Sequence, residues 1–516
     1  MIHRISKSLL TATMLVLVIG VAVVQGQPAS AAAVRTSHSP RGSLQVTLTA
    51  GEWPNLDPGL NTQAAADSAI MSAVFGGLFE YVYRGGSLHV VPDEATGYNF
   101  TNGGKTFEIT LRHGAKFSNG DPLTASVVAA NISRDLLPAN ACICAPSFAA
   151  VSSVAASGAD TVTLSLSRPF PPLIYSFDGT APNWPADLSV LAREGAPAFG
   201  QHPIGAGPFE IVKNEAIAQV DLTANPNYWR AGHPLLKHLT FVSVGTDQSA
   251  YDSVTTGQSQ VATTVTTIPL VEQARHSSAV HVSISPATGY NFVEMNSTAA
   301  PFNNPIAREA IYYATDPRAL VKGLYDNVYK VVETATAPGE TIYLPKVSGY
   351  RAFDLSKAKA LVRQLGGLTV TLGALTNSQY WVTEEDALAA EWKRAGITVN
   401  VQVNSLEQYL QELRSGHWQA LDTQWGTADP ALGLPTHFAS TAPLSGTKDP
   451  VVDSLMNQAA ATANHRTRVE LYKRLFERMN SNADDVFLYS KPTVTILAKS
   501  VHGSTEAAYG LWEDVS

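Results

Sequence analysis

The two cysteines of this chain, Cys142 and Cys144, stand one residue apart in the run NACICAPS. A structural metal site usually takes four ligands from two such pairs, and the sequence has no second pair at ligand spacing. In an oxidising compartment the two side chains could form a local disulfide, or they could remain free thiols. Neither state implies catalysis.

Known catalytic patterns are missing from the sequence. It contains no GxSxG elbow, no HExxH zinc motif, no P-loop and no GxGxxG followed by an acidic partner. The 13 histidines are scattered without ligand spacing. The glycine-rich run GAGPF, residues 205–209, lacks the lysine and helix N-terminus of a phosphate site, so it is interpreted as a turn between strands. The sequence therefore predicts a protein that is not an enzyme and has no cofactor and no metal site.

The first residues predict an exported protein. Arg4 and Lys7 precede an uncharged, largely apolar stretch, residues 9–24, and small alanines follow it, as in a secretory signal peptide. This stretch is shorter than the about 18 to 20 apolar residues that a membrane-spanning helix needs. We therefore predict a signal peptide over residues 1–31, with an uncleaved membrane anchor as the alternative.

Charge and length restrict the partners and the architecture. The formal net charge is −8 and the pI is near 5.9, which argues against nucleic acid or an anionic membrane as partner, since both need basic patches. No cysteine lies near the expected cleavage site, so a lipobox-type lipid anchor has no attachment point. We expect a released protein on the periplasmic or extracellular face of the cytoplasmic membrane. The 516 residues exceed what one hydrophobic core usually organises, so two or more lobes are expected.

The hydrophobic patterns divide the chain near residue 286. Before this point, alternating segments such as LQVTLTAG and TFEITLRHGAKF predict strands around a few helices. After it, amphipathic helices such as PIAREAIYYATDPRALVKGLY alternate with strands such as LTVTLGAL and ITVNVQVN, which is typical of an α/β lobe. We therefore predict two mixed lobes.

Residues 106–128, TFEITLRHGAKFSNGDPLTASVV, resemble the signature of the family 5 extracellular solute-binding proteins, the oligopeptide, dipeptide and nickel binders. Further segments resemble the family in the expected order along the chain: NLDPGLNT, PIGAGPFEIV, NPNYWRAGHP, PFNNPIAREAIYYATDPRALV, FDLSKAKALV, RAGITVNV and DTQWGTADP. The resemblance covers essentially the whole chain after the leader.

The resemblance implies an α/β fold of the type II periplasmic-binding-protein class, a two-lobed clamp with an additional inserted subdomain in lobe I. Lobe I would contain residues 44–285, with the inserted subdomain at about 86–203. Lobe II would contain residues 286–484, and residues 485–516 would return to lobe I. The two lobes would close over a ligand that contacts both.

The function that the resemblance implies is that of the extracytoplasmic substrate-binding protein of an ABC importer. Such a protein captures peptides or peptide-like small ligands and delivers them to permease subunits in the membrane, and we expect it to be a monomer. The alternatives are a metal chelate, haem or opine-type ligand and, from other classes, a ligand-sensing receptor component or an exported hydrolase. The missing catalytic motifs argue against the hydrolase.

The resemblance also indicates ligand-binding residues on the first loop and in the segment QWGTADP. These candidates are Asn61, Thr62, Trp425, Gly426, Thr427 and Asp429. In peptide-binding relatives an aspartate after this tryptophan pairs with the α-ammonium of the ligand. Here the family's acidic run is reduced to Asp429, which could instead belong to a simple Asp-Pro turn, and Trp425 could be a core aromatic.

Overall fold

The structure is a computed structural model that describes residues 40–49, 53, 55–60, 65–84, 86–140, 142–215, 217–375, 379–442, 445–503 and 512–516. The predicted signal peptide and the candidates Asn61 and Thr62 lie outside the described residues. Among the helices that the structure describes, none is both long and apolar enough to cross a bilayer.

Strands are found along the whole of the described chain. These strands are β1 (Ser43–Leu48), β2 (Phe79–Arg84), β3 (Ser87–Pro92), β4 (Ala95–Thr101), β5 (Thr106–Leu111), β6 (Val151–Ala156), β7 (Thr161–Leu166), β8 (Phe209–Glu215), β9 (Gln219–Ala224), β10 (His238–Ser243), β11 (Val261–Thr263), β12 (Val280–Ser285), β13 (Gly289–Met295), β14 (Lys330–Val331), β15 (Leu368–Leu375), β16 (Ile397–Asn404), β17 (Ala420–Gly426), β18 (Asp485–Ser490) and β19 (Thr493–Ala498).

Helices alternate with these strands, most densely in the second half of the chain. The α-helices are α1 (Ala65–Phe75), α2 (Ala125–Asp135), α3 (Leu188–Glu194), α4 (Ala196–Phe199), α5 (Asp247–Thr255), α6 (Ile268–Arg275), α7 (Pro305–Ala314), α8 (Pro317–Tyr325), α9 (Leu355–Gln364), α10 (Gln379–Arg394), α11 (Leu406–Ser415), α12 (Pro430–Phe438), α13 (Pro450–Ala461) and α14 (His465–Asn482).

Local sequence explains why many of these elements form where they do. In β5 the alternate residues Phe107, Ile109 and Leu111 are buried, because side chains of a strand point to opposite faces in turn. Helix α2 begins after Thr124, whose hydroxyl accepts a hydrogen bond from the Val127 amide, a standard N-cap. Patterning and capping residues therefore set most element boundaries.

Two large sheets organise the described residues. The first has seven strands in the order β12-β19-β11-β1-β10-β9-β8, and the second has six in the order β14-β18-β13-β17-β15-β16. The chain passes from the first sheet to the second between β12 and β13, through residues 286–288, and returns between β18 and β19, through residues 491–492. Two short segments of the chain therefore connect the two sheets.

A separate region is inserted between β1 and β8 of the seven-stranded sheet. It contains the hairpin β2-β3 and a four-stranded sheet in the order β4-β5-β7-β6. Helix α2 contributes Val128 and Ile132 to the same buried cluster as β5 and β7. The insertion therefore has a hydrophobic cluster, which Ala428, Ala431, Leu432 and Ala460 of the second half of the chain also join.

The C-terminal crossing differs in position from the sequence prediction, which began the return to lobe I at residue 485. Strand β18 pairs with β13 and β14 in the six-stranded sheet, and all six of its residues are buried. Strand β19 is the one that pairs in the seven-stranded sheet, with β11 and β12. The return to that sheet thus begins at Thr493, because a strand buried on both faces completes the second core first.

Candidate ligand-binding site

A cavity of about 320 Å³ lies between the inserted region and the carboxyl end of β17. One wall comes from two loops of the insertion, around Cys144 and around Asp178. The facing wall comes from residues 425–428, the start of α12 and Thr288 of the first crossing. Parts of the chain attached to each large sheet therefore meet around one space.

The wall on the insertion is held together by three kinds of contact. Cys142 and Cys144 form a disulfide, which is one of the two states left open by the sequence. The Ser176 hydroxyl donates a hydrogen bond to the Ser147 carbonyl at 2.8 Å. The rings of Phe148 and Phe177 meet edge to face with centroids 5.1 Å apart. The two loops therefore behave as one wall.

The facing wall depends on a pair of glycines. Gly426 lies opposite Gly289 in the β13-β17 pairing, and a Cβ at Gly426 would lie 2.1 Å from both Gly289 Cα and the Thr288 carbonyl oxygen. No real Cβ fits at that distance, so only glycine lets the first crossing run against β17. Next to it the Trp425 ring packs against His437, with centroids 4.9 Å apart. Trp425 and Gly426 thus shape the cavity, together with Thr427.

Asp429 is placed behind this wall and does not line the cavity. Its side chain is 0% exposed. Oδ1 accepts hydrogen bonds from the Ala431 amide at 2.9 Å and from the Arg468 guanidinium at 2.6 Å. Oδ2 accepts one from the Thr341 hydroxyl at 2.6 Å. Asp429 is therefore the N-cap of α12 and one partner of a buried ion pair. Its carboxylate already has hydrogen-bond donors from the protein.

Asp178 lines the cavity on the opposite wall. Among the described residues that line this space, it is the one with a charged side chain. Its Oδ1 atom is buried and accepts no hydrogen bond from the described part of the chain. Burial raises the pKa of Asp178 to about 7, because a desolvated carboxylate favours its neutral form. Sequence reasoning missed this residue, since SFDGT reads only as a turn.

Other acidic groups lie near the same space. Burial raises the pKa of Tyr83, and the negative charges of Asp178 and Glu340 raise it further. Glu340 is 4% exposed, and its own pKa is raised by burial and then by Asp429. Arg468, a nearby cation, is paired with Asp429 at 2.6 Å. The surroundings of the cavity therefore contain acidic groups whose ionised forms are disfavoured by burial, and the nearby cation is already paired.

Two α/β layers joined by two short crossings, with a cavity walled from both, define a two-lobed solute-binding protein. The family of bacterial extracellular solute-binding proteins, family 5 Middle, matches residues 89–442. The chain belongs to this family, and it is a solute-binding protein of the ABC-importer class, as the sequence predicted. Within the described ranges no group of three or more His, Cys, Asp or Glu side chains could hold a metal ion.

Individual proteins resemble the chain over nearly its whole length. The glutathione-binding protein GsiB of Escherichia coli (strain K12) is 25% identical over 491 residues, covering 90% of this chain and 91% of that protein. The structure of a putative peptide-binding protein AppA from Clostridium difficile matches with a TM-score of 0.80 at 18% identity, covering 92% and 100% of the two chains. The periplasmic binding protein DppA from Helicobacter pylori, in complex with the peptide STSA, matches with a TM-score of 0.75 at 20% identity, covering 92% and 98%. The predicted fold class, a two-lobed clamp, is confirmed.

Proposed function

We propose that this protein captures a small peptide or peptide-like solute in the cavity between Asp178 and Trp425 and delivers it to the permease subunits of an ABC importer. The observation that carries the proposal is that the cavity is walled on one side by the insertion into the seven-stranded sheet and on the other by the end of β17 in the six-stranded sheet. A ligand that contacts both walls favours the arrangement in which they are close. Closure of this kind reports occupancy to a membrane partner without any chemistry on the ligand.

The seven-stranded sheet with its insertion and the six-stranded sheet would form the cores of lobes I and II. Residues 286–288 and 491–492 would then be the hinge. We further propose that the protein acts as a monomer after export and removal of residues 1–31.

The size of the cavity supports a small ligand. A volume of about 320 Å³ lies at the lower end of the roughly 300 to 1,000 Å³ that small-molecule sites occupy. The names of two similar proteins point to the same class: one is called glutathione-binding, and the other holds a tetrapeptide. Hydroxyl groups of Ser147, Thr180 and Thr427 around the space suit the hydrogen bonds of a peptide backbone.

An anionic opine-type ligand is a weaker candidate for the same cavity. The one charged side chain among the described residues that line it is a carboxylate, and like charges repel strongly where water is excluded. A neutral or cationic end of the ligand fits this wall better.

The test is a binding survey with the purified mature protein. Isothermal titration calorimetry with glutathione, trialanine and mannopinic acid should give saturable binding for at least one of the two peptides. X-ray scattering should give a smaller radius of gyration in the bound form, and mass spectrometry should recover the peptide intact. Cleavage of the peptide, or binding of the opine alone, would overturn the proposal.

A further inference from the structure

The carboxylate of Asp178 lines the cavity and differs in its hydrogen bonding from two other aspartates, Asp429 and Asp187. Asp429 receives three hydrogen bonds, and Asp187, in the same insertion, receives bonds from two backbone amides and from Ser189 and Asn119. The Oδ1 atom of Asp178 receives none from the described residues. Other buried carboxylates, among them Asp135, Glu340 and Asp422, also lack donors in the described chain. Asp178 is the one that lines the cavity, where a ligand can supply the missing donor.

We propose that Asp178 binds a protonated amine of the solute, which makes the ligand class an ammonium-bearing peptide or peptide-like molecule. This inference rests on the proposed function and adds the residue and the charge that select the ligand. It assigns the ammonium to the insertion wall, whereas the sequence pattern had pointed to Asp429 after Trp425.

The electrostatics of the cavity support a cationic guest. Asp178 is the one carboxylate among the described lining residues, and its charge raises the pKa of the neighbouring Tyr83. The guanidinium of Arg468 is held by Asp429 at 2.6 Å with both side chains at most 7% exposed, so it does not neutralise Asp178. When Asp178 is ionised, a cationic group of the ligand can therefore supply the compensating charge.

The loop geometry holds Asp178 ready for such a contact. The Asp178 amide donates to the Tyr175 carbonyl at 3.3 Å and the Thr180 amide to the Phe177 carbonyl at 3.2 Å. The Thr180 hydroxyl donates to the Ser176 carbonyl at 2.7 Å. These bonds fix the loop through its backbone and leave the carboxylate uncommitted, so the site is pre-organised.

The consequence for the ligand is a defined direction in the cavity. Its ammonium end lies on the insertion, and the rest extends toward Trp425 and Thr427 on the six-stranded side. The charge-assisted contact and the contacts with Trp425 and Thr427 therefore lie on opposite walls. Both contacts are complete only when the walls are together, so the amine contributes to closure as well as to affinity.

The experiment compares two variants and two forms of each peptide. Asp178→Asn removes the charge with little change of shape, and Asp160→Asn is the matched control in the same insertion, since Asp160 is 39% exposed and pairs only with the exposed His113 in the described chain. Calorimetry is run with glutathione and trialanine and with their N-acetyl forms. We expect Asp178→Asn and acetylation each to weaken binding roughly ten-fold to a hundred-fold.

The two changes should not add, because they remove the same interaction, and Asp160→Asn should bind all four probes as the native protein does. The melting temperature of Asp178→Asn should equal or exceed the native value, which separates lost binding from lost folding. If acetylated and free peptides bind the native protein equally well, the ammonium assignment is wrong while peptide capture stands. If none of the probes binds the native protein, peptide capture itself fails and this inference fails with it.

Discussion

Asp429→Asn should destabilise the protein while leaving the ligand's charge preference intact. The substitution removes the negative charge from a buried ion pair in which the Arg468 side chain is 7% exposed and the Asp429 side chain 0% exposed, with 2.6 Å between nitrogen and oxygen. Asparagine keeps the shape and can still cap α12, since asparagine is as good an N-cap as aspartate. The variant therefore isolates the loss of the charge.

The magnitude follows from the burial of both partners. Breaking a buried ion pair by removing one partner costs about 3 to 5 kcal/mol, because the remaining charge has no counter-ion. We expect the lower end, about 3 kcal/mol, since the cap is retained. The unfolding entropy is about 2.1 cal/mol/K per residue. A chain of about 500 residues therefore loses roughly 1 °C of melting temperature for each kcal/mol of lost stability. The predicted shift is about 3 °C.

A double-mutant cycle measured by calorimetry checks this reasoning. Arg468→Met should destabilise the protein as well, and the double variant should lose about 1 to 3 kcal/mol less than the two single losses combined, because no unpaired charge remains buried. Peptide affinity should change little in Asp429→Asn. A variant that melts within about 1 °C of the native protein and binds a free-amino peptide ten-fold more weakly would show that Asp429 contacts the ligand after all.

Three further predictions concern other parts of the chain. N-terminal sequencing of the exported protein should begin close to Ala32, and an intact Met1 in the membrane fraction would contradict a released protein. Affinity for an amine-bearing peptide should rise between pH 5 and pH 8. Burial raises the pKa of Asp178 to about 7 in the free protein, its titratable neighbour Tyr83 also has a raised pKa, and an ammonium ligand favours the ionised carboxylate. Calorimetry should show this rise in the native protein and not in Asp178→Asn. Gly426→Ala should lower stability by about 2 kcal/mol or more, as its Cβ would lie 2.1 Å from the facing backbone; urea unfolding that is unchanged would disprove the close approach.

The sequence predicted elements well where one local signal decides the structure. The alternation in Thr106–Leu111 and the caps at Thr124 and Asn304 mark a strand and two helix starts, and each signal lies within a few residues of the element that it sets. The order of family segments then gave the two-lobed fold. These predictions succeed because they need no knowledge of distant contacts.

The membership of β18 in the second sheet could not be predicted in this way. Its residues DVFLYS are buried on both faces, so they show no alternation that would distinguish one sheet from another. Its neighbours are β13 and β14, which lie far away in sequence. Only the tertiary pairing determines which core it completes.

The site was predicted in part. Residues 425–426 were found because their motif is local. The structure then explains why position 426 is a glycine: a Cβ there would collide with the facing backbone. Asp429 carried a second signal, since an aspartate followed by proline is typical of a helix N-cap. Asp178 carried no signal, because what distinguishes it is a place in the cavity lining together with an oxygen that has no donor among the described residues. A missing partner is a property of the folded arrangement and not of any short pattern.

The two aspartates near the cavity differ in what a ligand ammonium would gain from them. To bind Asp429, the ammonium must displace the Arg468 guanidinium, which would leave a buried cation unpaired at a cost of about 3 to 5 kcal/mol. A charge-assisted hydrogen bond returns only about 1.5 to 3 kcal/mol. At Asp178 nothing in the described chain has to be displaced, and the ligand supplies a donor to an atom that has none. The balance of these magnitudes therefore directs a cationic ligand to the insertion wall, even though the sequence motif directs attention to the wall opposite.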